Sequence, residues 1–368
     1  MKIAFIIIFA IHSLIHLMGF VKAFNIGEIS QLKKAISRTA GIMWLMSAIL
    51  FIVSLGLFVL HIQLWWILAI ATIVLSQILI IKSWTDAKLG TIANFIILIP
   101  VFISFMNSLP SSFENIYKTE AEQRLKTISD TTFVSEGDIK HLPAPVSKYL
   151  YYVGAVGKPK VNNFYAVFKG RMRNKMEGRW MNINSQQYNF FEDPARIFYI
   201  KSKMLEIPIT GLHLYVGNNA TMQIKIASLF KVVDAKGENM NQSETVTMFN
   251  DMCLMAPSTL IDRKIRWEII EPLLVKATFT NQDNTITALL YFNEIGELVN
   301  FISNDRFYST DGKTYNNYIW STPVKDYKET KGRKFPTYGE AIWNTPEGEF
   351  TYANFNIRKI KYNCKKFK

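Results

Sequence analysis

Four long stretches without an acidic or basic side chain other than histidine dominate the first third of the chain: Ile3–Val21, Ala40–Leu60, Leu64–Ile81 and Leu89–Leu109. Each is close to the roughly 20 residues that a helix needs to cross a bilayer. None carries the clear polar stripe expected of a long helix in a soluble core. The pattern predicts a bundle of four transmembrane helices in residues 1–110. The exit of the first run, Gly19-Phe20-Val21-Lys22, lacks a small-x-small cleavage signal. That run therefore reads as a retained helix and not as a signal peptide.

Beyond Pro110 the pattern becomes polar and helical over Ser112–Ser129, with Ser112 as N-cap and Glu114 in the first turn. With the connector Thr131–Asp138 it makes residues 111–140 a juxtamembrane segment. A helix is expected at Pro145–Val153, opened by Leu142-Pro143-Ala144-Pro145 and closed by Gly154. From Asn162 the period changes to two. Phe164/Ala166/Phe168, Ile197/Tyr199, Ile265/Trp267/Ile269, Val275/Ala277/Phe279 and Ile286/Ala288/Leu290/Phe292 alternate, and Glu349–Tyr362 reads as one extended or bulged strand. Turn signals such as Gly217-Asn218-Asn219 and Asp311-Gly312 separate these runs, giving about ten to twelve strands joined mostly as hairpins. One helix interrupts them. Asn241 and Glu244 resemble a capping box, Thr245–Met255 carries Val246, Phe249, Met252 and Cys253 on one face, and Pro257 ends it. Residues 141–368 are thus expected to form a mostly antiparallel, open half-barrel-like β domain with a few helices. In the 285–292 run, Leu289 and Tyr291 oppose Leu290 and Phe292, so both faces need cover from a helix or an apolar ligand.

Charge sharpens the division. The chain has 42 Lys and Arg against 29 Asp and Glu, a formal net charge of +13. Residues 1–110 hold only Lys2, Lys22, Lys33, Lys34, Arg38, Lys82 and Lys88 against Glu28 and Asp86. All these bases but Lys2 fall in the loops after the first and third runs, which places those loops in the cytoplasm. The expected location is a bacterial cytoplasmic membrane, crossed several times, with the N-terminus and the β domain outside. Trp65, Trp66 and Trp84 suit the interfaces, and Asp86 suits a helix cap. The basic cluster Arg358, Lys359, Lys361, Lys365, Lys366 and Lys368 suits solvent or anionic lipid better than nucleic acid.

Motifs for chemistry are few. No phosphate-binding glycine loop, HExxH, GxSxG or CxxC is present. Two cysteines exclude a thiolate zinc site, and whether Cys253 and Cys364 pair is open. After residue 110 only His141 and His213 remain, too few for a three-histidine zinc site and poor material for a Ser-His-Asp triad. No metal and no cofactor are expected. Asp234, Glu238, Glu244, Asp251, Asp262 and Glu340 could supply an acid–base pair, with none singled out. Asp305-Arg306, followed by Tyr308, reads as an ion pair steadying a strand, or else Arg306 grips an anionic headgroup. His12 and His16, four apart on one helix face, either serve membrane chemistry or hydrogen-bond to Ser47, Ser76, Gln77 or Asn94. A two-histidine haem site does not fit, because His61 lies about 13 Å from the depth of His12 at helical rise.

The strings Phe20-Val21-Lys22-Ala23-Phe24, Ser83-Trp84-Thr85-Asp86-Ala87-Lys88-Leu89-Gly90 and Leu142-Pro143-Ala144-Pro145-Val146 resemble a bacterial multi-pass membrane-protein family with no assigned activity. So do Tyr152-Val153-Gly154-Ala155-Val156-Gly157-Lys158-Pro159, Asn304-Asp305-Arg306-Phe307 and Pro346-Glu347-Gly348-Glu349-Phe350. At the level of fold, the β domain resembles the open half-barrels of periplasmic lipoprotein carriers, which hold acyl chains around a helix. The resemblance implies an extracytoplasmic binder of a lipid, an acylated protein or another apolar ligand. Met248, Phe249, Met252, Trp320 and Trp343 are the expected cavity contacts and Arg306 the headgroup partner. The alternatives are an envelope enzyme using a carboxylate pair or the membrane histidines, and a structural or signalling subunit with a filled core.

Overall fold

The computed structural model describes residues 2–127, 132–204 and 207–368. The chain divides into two compact units, Met1–Ser112 and Phe113–Lys368.

The first unit contains four helices long and apolar enough to cross a membrane. They cover Ile3–Ala23, Arg38–Val59, Trp65–Lys82 and Gly90–Ser108. Phe9, Phe51, Ala69, Ile97 and Val101 pack inward, while Ile11, Ile49, Ile67, Val74 and Phe95 stay exposed. Apolar side chains on both inside and outside are what a lipid-facing bundle requires. The first helix is interrupted at His16, between Lys2–Ile15 and Leu17–Ala23. There His16 Nδ1 lies 2.8 Å from the His12 carbonyl, the acceptor that the helix ladder assigns to the amide of residue 16. Asp86 does not cap a helix. Its carboxylate accepts from the Lys34 amide at 2.7 Å.

In the second unit, β1 (Asn163–Met172), β2 (Met181–Phe190), β3 (Ala195–Met204), β4 (Ile207–Val216), β5 (Asn219–Ile226) and β6 (Phe230–Lys236) form an antiparallel meander. A second meander comprises β7 (Arg266–Glu271), β8 (Leu274–Asn281), β9 (Asn284–Phe292) and β10 (Leu298–Ser303). β11 (Phe307–Tyr308) and β12 (Asn316–Asn317) make a separate small ribbon. β13 (Ile319–Ser321), β14 (Val324–Thr330), β15 (Arg333–Thr345) and β16 (Gly348–Tyr362) join the two meanders. β16 lies between β1 and β15, and β13 links β15 to β10. The result is one 14-stranded antiparallel sheet that does not close: β6 and β7 are its free edges. Register shifts at Val167/Phe168 and Ala341/Ile342 mark bulges along β16, which bend a long strand.

A single segment crosses from one edge to the other. Gly237, at φ 96, turns β6 into the helix Glu238–Met255, and a 3₁₀ turn at Pro257–Ile261 leads to β7. The helix begins seven residues before the expected Thr245. Asn241, expected as its cap, lies inside it, and its side chain instead accepts from the Ala220 amide at 2.8 Å. The helix Phe113–Leu125 covers the other sheet face with an i, i+4 stripe of Phe113, Tyr117, Ala121 and Leu125. That stripe meets Tyr165, Tyr188, Ile197 and Tyr199. The expected end of this helix at Ser129, and Thr131 of the connector, lie outside the described residues. Part of the connector is a short helix, Glu136–Ile139, capped by Ser135 and Asp138. The helix Ala144–Tyr152 buries Tyr149, whose hydroxyl donates to the Cys253 carbonyl at 2.8 Å. On β9, Leu290 and Phe292 are buried, whereas Leu289 and Tyr291 remain partly exposed. Cys253 and Cys364 are both free and buried.

Candidate functional site

Strand alternation puts Ile197 and Tyr199 on the helix-covered face, so Arg196, Phe198 and Ile200 point to the opposite face. There, between the sheet and the helix Glu238–Met255, is a cavity of about 400 Å³. Its walls are mainly apolar, with Phe168, Ile183, Ile209 and Ile224 from the first meander and Trp343, Tyr352 and Phe355 from β15 and β16. The helix contributes Met240, Glu244, Thr247, Asp251 and Met255. These recur every three or four residues and so form one face.

Arg306, Trp320 and Trp343 line the cavity. Met248, Phe249 and Met252 do not: they lie in the core on other sides of the helix. Phe249 stacks on Phe279 with ring centroids 5.0 Å apart and a 12° interplanar angle, and Met248 Sδ accepts from Asn189 at 3.5 Å. The most apolar face of this helix seeks the most apolar neighbours, and the cavity receives the mixed face. Asp305 and Arg306 do not pair. Asp305 accepts from the amide and hydroxyl of Thr287, and Arg306 turns towards the tryptophans.

One wall carries a buried ionic cluster. Arg196 Nε donates to Asp251 Oδ2 at 2.7 Å, Nη1 to Glu244 Oε2 at 3.1 Å and Nη2 to Gln187 Oε1 at 3.3 Å. Asn189 and Gln187 also donate to Asp251 Oδ2. His213 Nδ1 is 3.6 Å from Glu244 Oε1. Burial alone would raise the Glu244 carboxyl, but Arg196 and His213 outweigh it and hold it at about 2. For Asp251, burial prevails over Arg196 and the amide donors, and its pKa is raised. Burial lowers His213, against the pull of Glu244, so the imidazole is neutral at neutral pH.

Arg306 is placed differently. Its guanidinium lies 4.5 Å from the Trp320 ring centroid and 5.0 Å from that of Trp343, and Nε donates to Thr247 Oγ1 at 3.2 Å. Among the described residues no carboxylate forms an ion pair with it. Sequence reasoning singled out Glu244 and Asp251 only as two of six carboxylates, and it missed Gln187, Asn189 and Arg196. Their signal is the in-facing period of Gln187 and Asn189 on β2 opposite Arg196 on β3, polar positions where an apolar core would place Leu or Val.

The two histidines of the first apolar helix form a connected set. His12 Nε2 pairs with Asn94 Oδ1 at 2.8 Å and His16 Nε2 with Ser76 Oγ at 2.8 Å. Asn94 Nδ2 donates to Ser76 Oγ and Gln77 Oε1, each at 3.0 Å, and Gln77 donates to Thr91. Three helices are thereby joined by polar contacts. Ser47, also a candidate partner, does not join them. Among the described residues no group of three or more His, Cys, Asp or Glu is placed to hold a metal.

A family model described as a family of unknown function, DUF6544, matches residues 132–355. No curated protein matches the chain. Among solved structures, the chain is similar to a domain described as outer membrane lipoprotein-sorting from Vibrio parahaemolyticus. Identity is 8% and the TM-score 0.35, over 55% of this chain and 85% of that one. It is also similar to a DUF1329 family protein from Desulfovibrio piger, at 9% identity and TM-score 0.37, covering 60% and 92% of the two chains. A LolA superfamily protein from Nitrosomonas europaea gives 13% and 0.36, covering 59% and 93%. At these values the likeness bears no weight on function.

Proposed function

This chain belongs to the DUF6544 family of unknown function, and on that premise we propose that its β-rich unit binds an elongated apolar ligand bearing an anionic group, a lipid or a lipid-modified protein. The four apolar helices hold it on a bacterial cytoplasmic membrane, with the N-terminus and the β-rich unit outside. The observation that carries this reading is a cavity of about 400 Å³ with apolar walls and an arginine that, among the described residues, forms no ion pair with a carboxylate, although Glu244 on the same wall feels its charge. That volume falls within the roughly 300–1,000 Å³ of small-molecule sites. Each methylene taken from water into such walls gains about 0.8 kcal/mol.

The two arginines divide the work. Arg196 is committed to Glu244 and Asp251 and stabilises the wall. The Arg306 guanidinium lies against two indoles and donates through Nε to Thr247, which leaves its terminal N–H groups for a phosphate or carboxylate. Binding of a fluorescent long-chain fatty acid to the full chain in amphipol tests this. Arg306→Glu is expected to weaken binding by roughly 10- to 100-fold, the loss of a charged hydrogen-bonding partner. Binding of the corresponding fatty alcohol should be little changed. Unaltered fatty-acid affinity in Arg306→Glu would end the headgroup assignment.

A further inference from the structure

We infer that the rim formed by the β1–β2 and β5–β6 connections and the adjoining ends of β3 and β4 docks on the surface of an anionic phospholipid bilayer. This inference shares with the functional reading only the premise that the apolar helices span a membrane, and does not depend on what fills the cavity. These lie at one end of the first meander, because each strand is antiparallel to the next. In the sequence, segments 171–181, 201–207 and 225–231 hold Arg171, Arg173, Lys175, Arg179, Lys201, Lys203, Lys225 and Lys231 against Glu177 and Glu206, and Lys201 and Lys231 are further paired with Glu114 and Asp234. Large apolar side chains share the rim. Phe230 is 68% exposed, and Met204 and Ile207 are also exposed. Protruding apolar groups set among bases match a headgroup layer over acyl chains, where neither water nor a purely polar protein surface satisfies both.

Two further observations point the same way. The cavity reaches this rim, since Met172, Arg173, Asn174 and Met181 line it and Asn174 is exposed. A docked rim therefore sets the cavity mouth against lipid. The tether also begins here. Lys225 Nζ sits 4.4 Å from the Phe113 ring centroid, and Glu114 pairs with Lys201 at 2.8 Å.

The test uses the full chain in nanodiscs, with an environment-sensitive thiol probe at Phe230→Cys and, as control, at Ile295→Cys in the β9–β10 turn. Val232→Cys serves as a second rim site. Phe230 and Ile295 are both well exposed and the native cysteines buried, so labelling is selective. In discs of phosphatidylcholine with about a third phosphatidylglycerol, brominated acyl chains are expected to quench the rim probes several-fold more than the control. The excess should vanish in pure phosphatidylcholine and in Arg171→Glu/Lys175→Glu/Arg179→Glu. Equal quenching at rim and control in anionic discs would overturn the inference, as would quenching indifferent to lipid charge. Rim probes that quench one another instead would show that a second copy covers the surface, and would also overturn it. Lipid extracted from the same samples reports cavity occupancy separately, so failure of docking and failure of ligand binding are distinguishable.

Discussion

Arg196→Met is expected to lower the unfolding temperature of the β-rich unit by roughly 6–20 °C, from a loss of about 3–5 kcal/mol. Among the described residues Arg196 alone pairs with both Glu244 and Asp251, and the substitution leaves these two buried carboxyl groups without that cation. Such a group must either lose its charge or pull water into the core, and both are costly. The triple variant Arg196→Met/Glu244→Gln/Asp251→Asn is expected to recover most of the loss, because the desolvated charges go with their partner. Cys253 is buried and free, so its reaction with a thiol dye on heating reports the transition. A shift below about 2 °C in the single variant, where a shift several times larger is expected, would mean that the cluster does not hold the wall together. Acid adds a signature. Glu244 is held at about 2, below the usual value for its class, so its stabilising share is complete above that usual value and drains away as pH falls towards 2. Asp251, raised by burial, has the opposite sign: its share is present at low pH and declines as pH rises through its folded value. Glu244→Gln should remove the first of these limbs and leave the second.

Phe249→Ala should destabilise to a similar degree, about 3–5 kcal/mol, by opening a void in the core. Phe249 is fully buried, stacked on Phe279 and 5.9 Å from the Phe301 ring centroid. It does not line the cavity, so the folded fraction should bind the fatty-acid probe with near wild-type affinity. The same two measurements separate it from Arg306→Glu, whose folded fraction is expected to lose affinity for the fatty-acid probe. If Phe249→Ala lost affinity while remaining fully folded, the assignment of this side chain to the core would be wrong.

Period and charge carried most of the architecture into view. Uninterrupted apolar length marks the four helices, two-residue alternation marks β1, β3, β7, β8 and β9, and the length of Glu349–Tyr362 marks β16. The start of the helix Glu238–Met255 was hidden for a local reason. Asn241 and Glu244 have the spacing of a capping box, but Asn241 is needed by the β5 amide of Ala220 and Glu244 by Arg196. Tertiary partners outbid the local signal. The site residues split along the same line. Trp320 on the short β13, Trp343 on the long β15 and Arg306 in the loop before β11 are large or charged residues that converge on the cavity. For Met248, Phe249 and Met252, apolarity indicates burial but not which buried surface, and the helix turns them to the core. Arg196 was invisible because a lone arginine in a strand pattern reads as solvent-facing until β2 and the helix supply its three polar partners, Gln187, Glu244 and Asp251.

The most direct test of the binding reading is native mass spectrometry, with lipid extraction, of the full chain purified from a bacterial envelope. It is compared with Ile224→Trp, which places an indole in the cavity where a partly buried side chain now lines it. The account predicts one acyl-bearing species per chain that survives detergent exchange in the wild type and is absent from Ile224→Trp. A wild-type chain that is ligand-free, or lipid retained equally by both proteins, would contradict it and leave the cavity a feature of packing alone.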